Sequence, residues 1–241
     1  MTVPLSIAPR VLTALPLAID PDEVLRFQGY KKSVDTPGPD VMALFDDALA
    51  LGRRLIAPRA VVRWLAVTRQ DADTIDAGGT TLEIPGVDRL WGPVEWVAAA
   101  VCTIGDGLER RAAELWDARE LPLAAMLDSV GSGAVESLAE YVNDLLCQEA
   151  LPHGLLVTNR VSPGYGRWDV GQQRALFSLC PGAAIGVSLN EACFMAPVKS
   201  ISLLAAAGAQ ARVDHYFSQC ARCWMADCAY RRTPARTTVH R

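Results

Sequence analysis

Three cysteines near the C-terminus have a spacing that suits a shared metal centre. Cys220, Cys223 and Cys228 form a C-x2-C-x4-C pattern. Thiolates this close together can converge on an iron–sulfur cluster or a zinc ion, or they can act as redox thiols. No second C-x2-C or C-x2-H pair completes a typical zinc site. A fourth ligand must then come from elsewhere, and the candidates are Cys193, Cys180 and His215.

The stretch RVSPGYG, residues 160–166, is a second candidate site. Gly164 and Gly166 permit a tight turn and a close approach of the backbone to a ligand. The Arg160 guanidinium can bind a carboxylate through two hydrogen bonds, and Tyr165 offers a ring for stacking or a hydroxyl. The alternative interpretation is a structural turn with a surface arginine.

A third candidate is SLNEACFMAPVKS, residues 188–200, which places Glu191 and Lys199 on either side of Pro197. A carboxylate between two strands can bind a ribose or an amine, although a polar hairpin loop would have the same composition. Cys193 lies in this loop, and it is therefore the first choice for the fourth metal ligand. The sequence contains no G-x-G-x-x-G motif after a strand, no P-loop and no H-E-x-x-H, and only three histidines.

The composition excludes several classes of protein. A net charge of -4 over 241 residues argues against a general nucleic-acid-binding protein, which needs clustered Lys and Arg. No apolar run approaches the ~20 residues of a membrane span, and no signal peptide is visible, so we expect a cytoplasmic protein. Seven cysteines argue against a disulfide framework. Cys102 and Cys147 lie in apolar patterns and are predicted to be buried.

The order of the predicted elements indicates an α+β fold with an antiparallel sheet and flanking helices. Asp20, Pro21 and Glu23 predict the capped start of a helix over 19–30, and Asp40 predicts the cap of a helix over 41–56. Alternating residues predict a long hairpin over 60–86 and further strands over 184–190 and 200–208. Helices are predicted over 92–118, 126–151 and 169–180. The small residues 131–134 predict close packing of the helix over 126–151 against a neighbour.

Taken together, the second and third candidate sites resemble the activation domain of cobalamin-dependent methionine synthase. The family signature R-x-x-x-G-Y is matched by Arg160, Gly164 and Tyr165. Its later segment L-T-E-S-x-x-M-x-P-x-x-S-V-S is matched by a second set of residues: Leu189, Glu191, Met195, Pro197, Ser200 and Ser202. The stretches TIGDGLERR and LDSVGSGAVESLAEYV, and the C-terminal cysteines, are similar to free-standing members of the family. The family's ending after the tyrosine is replaced here by GRWDVG.

The resemblance implies an S-adenosylmethionine-binding domain that reactivates corrinoid proteins. Such a domain converts inactive cob(II)alamin to methylcob(III)alamin by coupling a one-electron reduction to methyl transfer. By motif, Arg160 would bind the carboxylate of the cofactor, and the backbone from Ser162 to Gly164 would line the site. Tyr165 and Glu191 would lie near the adenosyl or sulfonium group. The chain has no D-x-H-x-x-G motif, so a partner protein would supply the corrinoid.

These inferences divide the chain into three parts. Residues 1–90 form a helical and hairpin region, residues 91–212 the activation-domain-like core, and residues 213–241 a cysteine-rich segment with a basic tail. An iron–sulfur cluster on Cys220, Cys223, Cys228 and Cys193 would relay the electron, with an external donor as the alternative. Two other functions remain open. One is a non-catalytic adaptor that binds a corrinoid protein and holds structural zinc, and the other is a methyltransferase acting on a different acceptor.

Overall fold

The computed structural model describes residues 5, 7–31 and 34–213. In chain order the helices and strands are β1 (Arg10–Thr13), α1 (Pro21–Phe27), α2 (Pro39–Leu55), β2 (Arg59–Gln70), β3 (Thr74–Ala77), β4 (Thr80–Glu83), α3 (Val87–Trp91), β5 (Trp96–Thr103), α4 (Gly107–Asp117), α5 (Leu121–Ala150), β6 (Leu156–Val157), α6 (Gln173–Leu179), β7 (Ser188–Leu189), β8 (Met195–Ala196) and β9 (Ser200–Gly208). Cys220, Cys223, Cys228 and His215 lie outside the described residues.

An antiparallel sheet forms the centre of the described part of the chain. Its strand order is β4-β3-β2-β5-β9-β6, and β1 pairs with the first residues of β2. The longest pairings join β5 to both of its neighbours. Thr103 lies opposite Arg59 of β2 and opposite Ser200 of β9. The predicted α+β class with an antiparallel sheet is therefore confirmed.

The sheet separates two hydrophobic cores. On one face, α1, α2, α4 and α5 pack around residues such as Trp64, Leu127 and Leu138. On the other face, α3 and α6 cover a core that includes Leu82, Trp91 and Leu176. Because β5 and β9 lie between these cores, almost every side chain of both strands is buried.

Helix α5 runs for 30 residues across the first core. Its glycines allow neighbouring helices to approach closely. A Cβ atom at Gly131 would lie 2.7 Å from Leu108 Cδ2 of α4, and one at Gly133 would lie 2.8 Å from Val24 Cγ2 of α1. The predicted close packing of these small residues is confirmed.

The helix starts were only partly predicted. Asp20 caps α1 as expected, and its side chain accepts a hydrogen bond from the backbone N–H of Asp22. The Glu23 carboxylate pairs with Arg26, and the backbone N–H of Asp20, the group that a capping box engages, donates to Ser137 Oγ. Asp40 lies in the first turn of α2, while Gly38 occupies the N-cap position.

The largest error concerns the region predicted to be a helix over 92–118. The structure contains the central strand β5 and only then α4 in this region, and Cys102 is fully buried in β5 rather than in a helix. The predicted hairpin over 60–86 contains a third strand, β3. The predicted strand over 184–190 is reduced to the two residues of β7. Within the described ranges, no helix has the length and apolarity needed to cross a membrane.

Candidate functional site

The candidate site lies along one row of polar side chains on α5. Asp128, Ser132, Glu136 and Glu140 recur every four residues in a helix that is otherwise mostly apolar. Residues four apart lie on the same side of a helix, so these side chains form a continuous polar row. We call these four residues the α5 ridge. Both of the motifs identified in the sequence attach to it through a cation.

Arg160 of the first motif binds the C-terminal half of the α5 ridge. Its Nη2 atom lies 2.6 Å from Glu136 Oε2 and 2.8 Å from Glu140 Oε1. Burial by itself lowers the pKa of Arg160, but the two carboxylates outweigh that effect and raise the pKa above its usual value. The guanidinium is therefore charged at every relevant pH, and its side chain is 11% exposed.

The backbone around Arg160 is fixed by β9. Val161 and Leu204 exchange two backbone hydrogen bonds of 2.8 Å each, and the Thr158 hydroxyl accepts a bond from the backbone N–H of Ala206. Arg160 lies between Thr158 and Val161, so these hydrogen bonds fix the position of its backbone on the sheet. The position from which its side chain reaches α5 is therefore also fixed.

The turn after Arg160 is closed by two backbone hydrogen bonds. The backbone N–H of Gly164 donates to the carbonyl of Trp168 at 2.9 Å, and the N–H of Tyr165 donates to Ser162 at 3.3 Å. Gly164 has a φ of 89°, a conformation that other residues rarely adopt. The Tyr165 ring is half-exposed, whereas Ser162 and Trp168 are buried. The buried Ser162 hydroxyl has no hydrogen-bond partner among the described residues.

Lys199 of the second motif binds the N-terminal half of the α5 ridge. Its Nζ atom lies 2.8 Å from Asp128 Oδ1 and 2.9 Å from Ser132 Oγ. The stem of the side chain passes over Gly131, where a Cβ atom would lie only 3.2 Å from Lys199 Cε. Glu109 of α4 adds a further link by accepting a 2.8 Å hydrogen bond from the backbone N–H of Val198.

Other residues of the second motif build the β7–β8 hairpin. Asn190 Oδ1 accepts hydrogen bonds from the backbone N–H groups of Ala192 and Phe194. The Ser200 hydroxyl donates to the carbonyl of Pro197 at 2.7 Å, or to Thr103 Oγ1 at 3.0 Å. The spacing of this motif therefore has a structural origin in the closure of the hairpin.

Glu191 lies at the exposed tip of that hairpin. Its backbone carbonyl accepts a hydrogen bond from Arg174 of α6. Among the described residues, its carboxylate makes no hydrogen bond or ion pair, so the structure does not join it to the α5 ridge. This leaves the carboxylate available for an external group.

No protein-family model matches the chain, and no curated protein matches it. Thirteen chains of solved structures do match. One is the crystal structure of the MetH reactivation domain bound to AdoHcy, with a TM-score of 0.61 and 15% sequence identity. The match covers 91% of this chain and 84% of that chain.

The chain has the fold of the MetH reactivation domain. At this level of identity the likeness establishes the fold alone, and it confirms the resemblance that the two motifs indicated. Within this fold the two motifs contact neighbouring turns of α5, since Arg160 binds Glu136 and Lys199 binds Ser132.

The α5 ridge itself was missed in the sequence, although a signal was present. Four polar residues at intervals of four in a mostly apolar helix predict a single polar side. The small residues at 131–133 predicted only the close packing of this helix against its neighbours. Gln173, a buried polar residue of α6, was also missed, and nothing in its local pattern distinguishes it.

A cavity of about 450 Å³ lies beyond the Lys199 end of the ridge, between α1, α4 and α5. It contains none of the five residues predicted to bind the cofactor. Glu109 and Asp128 connect it to the Lys199 cluster, and Trp116 and Phe27 contribute aromatic walls. We therefore place the candidate site on the α5 ridge, where both motifs meet, rather than in the cavity.

Of the four predicted metal ligands, Cys193 alone lies among the described residues. Cys193 is buried in the β7–β8 hairpin with a φ of 63°. The described residues contain no group of three or more His, Cys, Asp or Glu arranged to hold a metal ion. Cys180, an alternative fourth ligand, has a pKa raised to about 12 by burial, and its thiol donates to the carbonyl of Val61.

Cys102 and Cys147 have different environments. Burial raises the pKa of Cys102 to about 12, so the predicted role as a small buried side chain is confirmed. Cys147 is only half-buried on α5. Its pKa is raised mainly by burial and to a smaller extent by the nearby Asp144 carboxylate.

Proposed function

We propose that the chain binds S-adenosylmethionine along the α5 ridge. The observation that carries this proposal is the attachment of both motifs to neighbouring turns of one helix. The amino-acid end of the cofactor is a zwitterion, with a carboxylate and an ammonium group. The Arg160 guanidinium can bind the carboxylate of the ligand, and the Glu136 and Glu140 carboxylates can bind its ammonium group. The charges of these side chains therefore suit the ligand.

The proposed role is reductive reactivation of a partner corrinoid protein. One electron reduces cob(II)alamin, and the reduced cobalt then takes the methyl group of S-adenosylmethionine to give methylcob(III)alamin and S-adenosylhomocysteine. The fold supports this role, because it is that of a MetH reactivation domain solved with AdoHcy. Under this proposal, Ser162, Gly164 and Tyr165 line the adenosyl side of the ligand, and Glu191 closes the site from the hairpin.

The electron would arrive through an iron–sulfur cluster on Cys220, Cys223, Cys228 and Cys193, or from an external donor. The proposed placement of Cys193 in the hairpin that carries Glu191 would keep the cluster near the transferred methyl group. Zinc at the same cysteines would instead favour an adaptor without redox chemistry.

Calorimetry with S-adenosylmethionine tests the ligand assignment. Arg160→Ala should weaken binding by roughly 2 kcal/mol, the scale of a lost charge-assisted pair. Arg160→Lys should weaken it nearly as much, because lysine keeps the charge but loses the planar pair of donors.

Arg10→Lys is the matched control, since Arg10 pairs with Glu149 on another part of α5. Melting temperatures of all variants separate a loss of binding from a loss of fold. Unchanged affinity in both Arg160 variants would remove Arg160 from the site. If the parent protein does not bind the ligand at all, the proposed function is wrong.

A further inference from the structure

Gln173 is a buried polar residue that the proposed function does not use. It is the first residue of α6 and is 6% exposed. A buried amide is retained only where its hydrogen bonds are satisfied, because an unpaired amide is costly in an apolar environment. The partners of Gln173 therefore indicate what it does.

The Gln173 amide links β9 to the tip of the β7–β8 hairpin. The Ser202 hydroxyl donates to Gln173 Oε1 at 2.5 Å, and Gln173 Nε2 donates to the carbonyl of Cys193 at 3.1 Å. Ser202 and Cys193 are themselves buried. Removing the amide would leave two buried polar groups without partners at once.

The neighbours of Gln173 connect the same helix to both motifs. Arg174 donates to the carbonyl of Glu191, two residues before Cys193. The short helical turn that leads into α6 begins at Val170, and a Cβ atom at Gly164 would lie 3.7 Å from Val170 Cγ2. The short turn before α6 therefore contacts the turn of the first motif, and the first residues of α6 contact the hairpin of the second.

We propose that Gln173 is a positioning residue that holds the β7–β8 hairpin, and with it Glu191, in place over the ligand. This rests on the proposed function, because it assumes that Glu191 faces S-adenosylmethionine. The amide acts by fixing the carbonyl of Cys193, whose left-handed backbone turns the chain toward the second strand of the hairpin.

The reactivity of the Cys193 thiol reports on the hairpin without any ligand. Iodoacetamide alkylation of the full chain, treated with a chelator so that no bound metal shields Cys193, is followed at the peptide that contains Cys193 by mass spectrometry. It should be slow in the parent protein because this thiol is buried. Gln173→Leu should accelerate it by about 10-fold or more, and weaken S-adenosylmethionine binding by a similar factor, because two buried groups lose their partners. Gln172→Leu is the matched control, since Gln172 bonds to Glu83 and not to the hairpin.

Gln173→Glu makes the test specific to the hydrogen bonds. A protonated carboxyl can donate to Cys193 and accept from Ser202, whereas a carboxylate has no donor for the Cys193 carbonyl. Burial raises the pKa of such a carboxyl, so the variant should resemble the parent at low pH and Gln173→Leu at high pH. The alkylation rate of the variant is compared with that of the parent at each pH. The parent carries the same nearby ionisable groups, so their effect on the rate cancels: Arg174, Glu191, Glu83 and Cys193.

Three results would overturn parts of this inference in distinguishable ways. If Cys193 is alkylated as slowly in Gln173→Leu as in Gln172→Leu, Gln173 does not position the hairpin. If the thiol responds but the affinity for S-adenosylmethionine is unchanged, the hairpin does not serve the ligand. If the thiol responds while the parent binds no S-adenosylmethionine, the positioning role stands and the proposed function fails.

Discussion

Arg160 and Lys199 are both cations held by acidic residues of α5, but the exposure of their partners differs. Glu136, beside Arg160, is 17% exposed, whereas Asp128, beside Lys199, is 57% exposed. The Lys199 side chain itself is only 11% exposed. A buried charge that loses its partner is costly, whereas an exposed one is solvated by water. The two members of the Lys199 pair should therefore respond unequally to substitution.

We expect Asp128→Ala to destabilise the protein more than Lys199→Met. The first change leaves the buried Lys199 ammonium with Ser132 alone and should cost roughly 2 kcal/mol of unfolding free energy. The second leaves an exposed carboxylate, keeps most of the packing over Gly131, and should cost less than about 1 kcal/mol. Urea unfolding of both variants provides the measurement. Equal losses would mean that the ammonium is as well solvated as the carboxylate.

The residues of the candidate site were predictable only where a motif was read as a whole. Arg160, Gly164 and Tyr165 stand in a short turn signature, and that turn is present. The partners of Arg160 were not predictable from it, because Glu136 and Glu140 lie on a helix 24 and 20 residues earlier in the chain. Distant contacts of this kind depend on how the helix crosses the sheet, which a local pattern does not specify.

At the scale of elements, β5 illustrates how a local pattern can mislead. Its sequence WVAAAVCT contains three successive alanines, and alanine is the strongest helix former. The strand is nevertheless buried between two cores, and a strand buried on both faces shows a continuous apolar run without alternation. The ends of α2, α5 and α6 were predicted to within one residue, whereas α5 begins five residues earlier and α6 four residues later than predicted. None of these helices has a side-chain N-cap that would mark its start.

Helix α5 provides a test of packing against intrinsic preference. Gly133→Ala would normally stabilise a helix by about 1 kcal/mol, because glycine is a poor helix former. Here the added Cβ would lie 2.8 Å from Val24 Cγ2 and 3.4 Å from the backbone nitrogen of Val24. We expect a net loss of roughly 1–3 kcal/mol, as for other overpacked cores, measured by thermal and urea unfolding.

Asp47→Ala on the exposed side of α2 is the control for that substitution. It changes helix preference without adding a buried atom, so it should leave stability unchanged or raise it slightly. A stabilised Gly133→Ala protein would indicate that α1 can move away from α5 at little cost.

At the scale of the whole molecule, the C-terminal cysteines decide whether the chain carries its own electron carrier. We expect protein purified without oxygen to be brown, and Cys223→Ser to lose iron and colour while still binding S-adenosylmethionine. Cys147→Ser is the matched control, because Cys147 lies on α5 outside the proposed ligand set. Retained iron and unchanged reactivation in Cys223→Ser would require an external electron donor. Stoichiometric zinc in colourless protein would favour the adaptor.

The proposed function also predicts a separate corrinoid protein. The purified chain should contain no cobalt, because its sequence lacks the D-x-H-x-x-G motif. It should nevertheless form a complex with a corrinoid protein in the cob(II)alamin state, detectable by size-exclusion chromatography, and methylate its cobalt when S-adenosylmethionine and a reductant are present. Cobalt bound to the isolated chain would contradict this expectation. Methylation of an acceptor other than cobalt would support the alternative methyltransferase.

The position of β9 in the sheet has a consequence for biosynthesis. This strand lies between β5 and β6, yet it is the last strand of the described chain to be translated. Until Ser200–Gly208 leaves the ribosome, the nascent chain must hold β5 with one unpaired, strongly apolar edge, which is a hazard for aggregation. Val161 also gains its backbone partner, Leu204, only at that point. Synthesis that stalls before residue 200 should therefore yield a species that needs a chaperone, even though most of the protein has already been made.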